Sequence, residues 1–174
     1  MKAQLRLDPS LSALRPALRF IGTNEKAHET YFDTTFKGGG LDSAASPMEI
    51  TLEAAAACSA MDVIPILQKR RKTVENLTVE LLAERAETHP KVFTSIEMHF
   101  RLVSPDATLK ELAAAIELSH SKYCSISVML ARSGCNISWT ATLQNPNTGS
   151  TETLSSREFQ ALLDSNEVNI EDRG

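Results

Sequence analysis

The chain has 174 residues, 42% hydrophobic and 23% charged, the proportions of a globular protein able to bury a core. Its formal net charge of −4 leaves no basic excess to neutralise phosphates, which excludes nucleic acid as the main partner. No run approaches ~20 consecutive apolar residues, and the N-terminal MKAQLRLDPSLSALRP lacks an apolar stretch of signal-peptide length, so no membrane association is expected. Three cysteines without scaffold spacing fit a reducing compartment, which points to a cytoplasmic protein with free thiols.

The first third reads as short strands. Residues 3–7 alternate apolar and polar, residues 18–23 form a second extended piece, and residues 28–35 a third. Thr23-Asn24-Glu25-Lys26 supplies a hairpin connection between the last two. Lys37-Gly38-Gly39-Gly40 then breaks regular structure ahead of a small-residue loop.

Ser46-Pro47-Met48-Glu49 has the layout of a capping box, with Ser at the cap, Pro in the first helical position and Glu three residues after Ser. The spacing predicts a helix from there to about Arg71. Its Ala-rich centre, AAAACSAMDV, favours helix and permits close approach of another element. Pro65 removes one backbone donor, so a kink is expected about two turns after Cys58. The basic run Lys69-Arg70-Arg71-Lys72 ends the helix, where cations complement its dipole.

Residues 77–84 and 92–103 follow as alternating strands, with His89-Pro90 in the turn between them. Ser104-Pro105-Asp106 opens a second helix, its apolar face made by Leu109, Leu112, Ala113, Ile116 and Leu118, running to about His120. A third covers Cys124 to Arg132 and stops at Ser133-Gly134. Residues 136–143 form a last strand. Turn residues and a weak helix over 155–164 make up the tail. The order is β-β-β-α-β-β-α-α-β plus a tail, and short connections imply antiparallel pairing, so the fold class is α+β. Residues 1–144 are taken as one domain and 145–174 as a C-terminal extension, partly helical or flexible.

Three segments carry a family likeness: SPMEITLEAAAACSAMDVIPIL at 46–67, HPKVFTSIEMHFRL at 89–102 and ELSHSKYCSISVML at 117–130. A Pro-Met-Glu helix opening with a Cys eleven residues after the Pro, then a later Lys-Tyr-Cys-Ser, resembles the family of osmotically inducible and organic hydroperoxide resistance proteins, the OsmC-like family. The resemblance covers roughly Pro47 to Leu143, and is strongest to the branch with a Ser-Pro-Met-Glu opening. It implies an intertwined homodimer in which antiparallel sheets wrap long central helices, with sites at the subunit interface.

The resemblance also implies chemistry. Cys58 would attack a hydroperoxide as a thiolate, Cys124 would resolve the resulting sulfenic acid as a disulfide, and a dithiol reductant would reset the pair. Active members use an Arg from an N-terminal segment and a Glu directly after the helix-opening Pro. Here Met48 follows Pro47 and Glu49 comes one place later, a rotation of about 100° on a helix. Glu49 is kept as the third candidate catalytic residue beside its capping role. Arg6, Arg15 and Arg19 lie upstream, but none stands in a matching context.

Glu53 and Asp62 lie close to Cys58 in sequence and are read as interface or solvated charges, either able to point into a site. Cys135 and Trp139 read as packing residues, and His120 as a solvated histidine four residues before Cys124. His28, His89, His99 and His120 make no metal-ligand spacing, and no phosphate loop is present, so neither metal nor cofactor is expected. The leading functional reading is a thiol-dependent peroxidase acting on organic hydroperoxides. The alternative is a non-catalytic dimer that binds a small apolar ligand in its interface cleft, and a third makes the tail a docking segment.

Overall fold

The computed structural model describes residues 1–8 and 18–165, so Arg15 lies outside the described residues. The chain divides into two compact units, Met1–Glu53 and Ala54–Gly174, with the boundary inside the long helix.

The first unit holds three antiparallel strands, β1 (Ala3–Leu7), β2 (Phe20–Asn24) and β3 (Glu29–Phe32), in the order β1-β2-β3. The turn after β2 is closed by Asn24, whose side-chain oxygen accepts from the amides of Lys26 and His28. Beyond β3 the chain is organised by Asp33, which is buried and has the amides of Thr34, Leu41 and Ser43 and the Ser43 hydroxyl around its carboxylate. Burial alone would raise its pKa, but these hydrogen bonds outweigh burial and hold it at about 2. Gly40 is required in this loop because a side chain there would run into the Thr34 carbonyl.

Helix α1 (Pro47–Lys69) begins with the capping box read from the sequence: Glu49 accepts from the Ser46 amide at 2.7 Å, and Ser46 Oγ accepts from the Glu49 amide at 3.3 Å. These bonds hold the Glu49 carboxyl below the usual carboxylate range. Pro65 lies within the helix on its exposed side, where water can serve the carbonyl left without a donor. The helix stops two residues short of Arg71. Arg71 adopts a left-handed conformation (φ 60°), its amide bonds Gln68, and the Lys72 amide reaches back to Leu67. That is a Schellman closure built on an arginine in place of the usual glycine.

By length and composition alone α1 is apolar enough to cross a membrane, a test that the core helix of a soluble protein also passes. Within the second unit it buries Ala55, Ser59, Val63 and Leu67, one stripe at four-residue spacing. Only 22% of its most apolar stretch is buried within this chain.

The sheet of the second unit has the order β4-β5-β6-β7, from β4 (Asn76–Arg85), β5 (Phe93–Val103), β6 (Asn136–Gln144) and β7 (Thr151–Ser155). Here the expected antiparallel arrangement needs correction: β4–β5 and β6–β7 are antiparallel, but β5 and β6 run parallel, Ser95 opposite Asn136 through Val103 opposite Gln144. The two intervening helices carry the chain back to the end where β5 began, which a tight turn cannot do. Strand β5 alternates cleanly, burying Ile96, Met98, Phe100 and Leu102 while Glu97 and Arg101 are exposed.

Helix α2 (Leu109–Leu118) starts at Thr108, capped reciprocally by Glu111, and not at Ser104. Ser104 instead accepts from the Ala107 amide, and Asp106 is taken by Thr73 at the far side of the β4 approach. Five residues, Ser119–Tyr123, form a wide π turn before α3 (Ser125–Arg132). As far as Ser165 the tail is more ordered than its composition suggests. Residues 151–155 add β7 to the sheet, and α4 (Ser156–Asp164) has its own Ser155–Glu158 capping box. Phe159 of α4 is fully buried.

Candidate functional site

Cys58 and Asp62 are four residues apart on α1 and therefore share a helix face, with Ser59 beside them turned fully inward. The second cysteine arrives by a different device. The π turn ends where the Cys124 amide bonds the Ser119 carbonyl at 2.8 Å. Cys124 then leaves the helical region (φ −70°, ψ 97°) and becomes the N-cap of α3, its sulfur accepting from the Ser127 amide at 3.4 Å. The cap positions the sulfur, although a thiol sulfur accepts more weakly than a serine oxygen.

These two devices bring the predicted thiols together. Cys58 Sγ, Cys124 Sγ and a carboxylate oxygen of Asp62 all lie within 4.8 Å of one another. Both cysteines are free, Cys124 buried and Cys58 half-buried. A disulfide needs about 2.05 Å between sulfurs, so closing the bond asks for a movement of no more than about 3 Å. Burial first, and hydrogen bonding with Cys58 second, push the Cys124 thiol above the ordinary cysteine value.

Asp62 is also held by a pair of serines. Ser119 Oγ donates to Asp62 Oδ2 at 2.9 Å, and Ser119 Oγ and Ser59 Oγ are 3.1 Å apart, both serines fully buried. Sequence reasoning had Asp62 only as a neighbour of Cys58, and missed Ser59 and Ser119. The four-residue interval from Cys58 is the signal for Asp62. Ser119 has none in the sequence, because it reaches Asp62 only through the π turn. The cluster offers three donor side chains, one of them committed to Ser119, and we assign no ion to it.

The remaining candidates are placed elsewhere. Glu49 serves its own helix start, more than two turns ahead of Cys58 on α1. Glu53 is exposed. Arg6 pairs with Glu29 at 3.3 Å, and Arg19 pairs with Asp8 at 3.2 Å while lying over the Tyr31 ring. Among the described residues, no arginine hydrogen bond or ion pair goes to Cys58.

His120 is not the solvated histidine expected. Its ring lies edge-on to Phe100, its Nε2 is shielded from solvent without a hydrogen-bond partner, and burial pushes its pKa down to about 4. It faces a cavity of about 580 Å³ shared with Glu117, Ser127, Cys135, Trp139 and Arg157. Ser127 Oγ is likewise buried and unpartnered, and Trp139 Nε1 donates to Glu117 at 3.2 Å. Cys135, raised in pKa by burial, lines this cavity and stands outside the Cys58–Cys124 cluster.

The sequence profile of the OsmC-like proteins matches residues 39–140, which includes both clustered cysteines. The chain belongs to the OsmC-like protein family. It is 42% identical to Protein YhfA of Escherichia coli strain K12 over 115 residues, 66% of this chain and 83% of that protein. A hypothetical protein from Aquifex aeolicus VF5 is 28% identical, with a TM-score of 0.65 over 82% of this chain and 96% of the other. An organic hydroperoxide resistance protein OsmC from Legionella pneumophila shares the fold at 12% identity, TM-score 0.55, over 81% and 96% of the two chains. The family match ends at residue 140, ahead of β7 and α4, so Arg157 on the cavity wall lies beyond the matched segment.

Proposed function

We propose that this OsmC-like protein is a cytoplasmic, homodimeric thiol peroxidase that reduces organic hydroperoxides through Cys58 and Cys124. The observation that carries this reading is the convergence of the two sulfurs, from separate elements, to within 4.8 Å. Cys58 is the half-buried member and so the one a peroxide can meet first. Its sulfur bonds the terminal peroxide oxygen as the O–O bond breaks, leaving a sulfenic acid and releasing the alcohol. Cys124 then attacks that sulfur, forming the disulfide and releasing water. A dithiol reductant returns both residues to thiols and leaves as its own disulfide.

Homodimer formation is supported by apolar surface that one chain leaves uncovered. Met61 on α1 is 74% exposed, and Leu5 and Leu7 on β1 are 59% and 51% exposed. Such side chains on a long apolar helix and a sheet edge suit a second copy of the chain. The test is direct. Reduced protein is mixed with cumene hydroperoxide and its free thiols are counted; loss of two thiols per chain, abolished in Cys58→Ser, is expected. Thiols that stay reduced while a control peroxidase reacts would sink the reading.

A second reading, binding of a small polar ligand without turnover, is favoured by the cavity at His120. Two buried polar atoms there, His120 Nε2 and Ser127 Oγ, have no hydrogen-bond partner among the described residues. Trp139, the single tryptophan of the chain, lines the same cavity and reports on its occupancy by fluorescence. Saturable fluorescence changes with small carboxylates or amides, lost in Ser127→Val, are the expected signature.

A further inference from the structure

Among the described residues no arginine bonds Cys58 or Cys124, and the charged group that stands beside both sulfurs is a carboxylate. Asp62 presents an oxygen within 4.8 Å of both sulfurs. Its Oδ2 is occupied by the Ser119 hydroxyl at 2.9 Å, and Ser119 is braced in turn by Ser59 at 3.1 Å. The buried serine pair fixes one carboxylate oxygen, and among the described residues the other takes no hydrogen bond. A negative charge beside a thiol disfavours the thiolate by simple repulsion. What a carboxylate can contribute at this point is proton transfer.

We infer that Asp62 carries the thiol proton in both halves of the reaction, a role that rests on the thiol-peroxidase reading above. In the first half Asp62 takes the Cys58 sulfhydryl proton as the sulfur bonds the terminal peroxide oxygen. It returns that proton to the alkoxide released by O–O cleavage, so the products are the Cys58 sulfenic acid and an alcohol. In the second half Asp62 takes the Cys124 proton and delivers it to the hydroxyl leaving Cys58, giving the disulfide and water. The carboxylate regains its starting state after each half. One shuttle serving two sulfurs accounts for a single Asp62 oxygen lying within 4.8 Å of both, a gap that one water can bridge.

The experiment compares the full-length protein with Asp62→Asn, which keeps the side-chain shape and an acceptor for Ser119. Two rates are measured: alkylation of Cys58 by iodoacetamide, assigned by peptide mass, and single-turnover oxidation by cumene hydroperoxide. Proton transfer predicts that Asp62→Asn slows both, the oxidation by about 10²-fold, and that Asp62→Glu recovers part of the rate. A merely neighbouring anion predicts the opposite sign, because removing the charge favours the thiolate and speeds alkylation. Alkylation that is unchanged or faster in Asp62→Asn overturns the inference. If the unmodified protein shows no hydroperoxide oxidation, the peroxidase reading fails, and slower alkylation in Asp62→Asn still supports Asp62 as proton acceptor. Should Asp62→Asn not fold, Ser119→Ala is assayed in its place: slower alkylation supports the inference and an unchanged rate overturns it.

Discussion

The indole of Trp139 on β6 and the ring of Phe159 on α4 meet with centroids 5.7 Å apart and planes inclined at 55°. Helix α4 is thereby fastened to β6, and both rings are buried, at 3% and 1% exposure. Aromatic contacts of this kind add to the area each ring buries. Phe159→Ala is therefore expected to cost about 3–5 kcal/mol in urea or guanidinium unfolding. A loss below about 1 kcal/mol would mean the tail packs only loosely.

Cys124 has a structural duty separable from its chemistry. Its sulfur caps α3 through the Ser127 amide. Serine caps at least as well, so Cys124→Ser should retain stability, whereas Cys124→Ala should lose about 0.5–2 kcal/mol. Chemically the two variants should agree. In both, Cys58 sulfenic acid formed by hydroperoxide persists and is captured by dimedone, which mass spectrometry of the Cys58 peptide reads directly.

Stability should fall with acid in two stages. His120 has its folded pKa pushed down to about 4 by burial, below the ~6.5 of an unfolded histidine. Between those values the unfolded chain binds the extra proton, so this contribution is present above about pH 6.5 and is lost as pH falls toward 4. Asp33, held at about 2 by its ring of donors, has a folded pKa below the unfolded ~3.9. Its contribution is present above about pH 4 and disappears as pH falls toward 2. Denaturation midpoints across pH should show both slopes. His120→Phe should flatten the upper one alone and Asp33→Asn the lower.

Arg71 closes α1 from a left-handed conformation that a side chain resists. Arg71→Gly relieves that strain but frees the unfolded chain, so a net gain of about 0.5–1 kcal/mol is expected. A thermal melt with an unchanged or lower midpoint would show that the arginine side chain compensates for its backbone.

Much of the fold was legible wherever the governing interaction is local. The Ser46–Glu49 box spans three residues, so its pattern is written in consecutive letters. The alternation of β5 shows because one face is buried and the other wet. Ser104-Pro105-Asp106 imitated a helix start, yet Thr108 became the cap because Asp106 is drawn away by Thr73, thirty-three residues distant. Strand β7 escaped notice because Thr151 to Thr153 are polar and exposed, as befits an edge.

The candidate site divides along the same line. Cys58 with Asp62, and Cys124 inside its Lys-Tyr-Cys-Ser motif, could be picked out from residue spacing and family likeness, and so could the capping role of Glu49. That the two sulfurs converge, that Ser59 and Ser119 orient Asp62, and that His120 is shielded from water were decided by tertiary structure. Each depends on the π turn at Ser119–Tyr123 and on the packing of α1 against it, contacts between residues some sixty positions apart. Periodicity and capping act over one or two turns, whereas a hydrogen bond across that separation exists only once the core between its partners has closed.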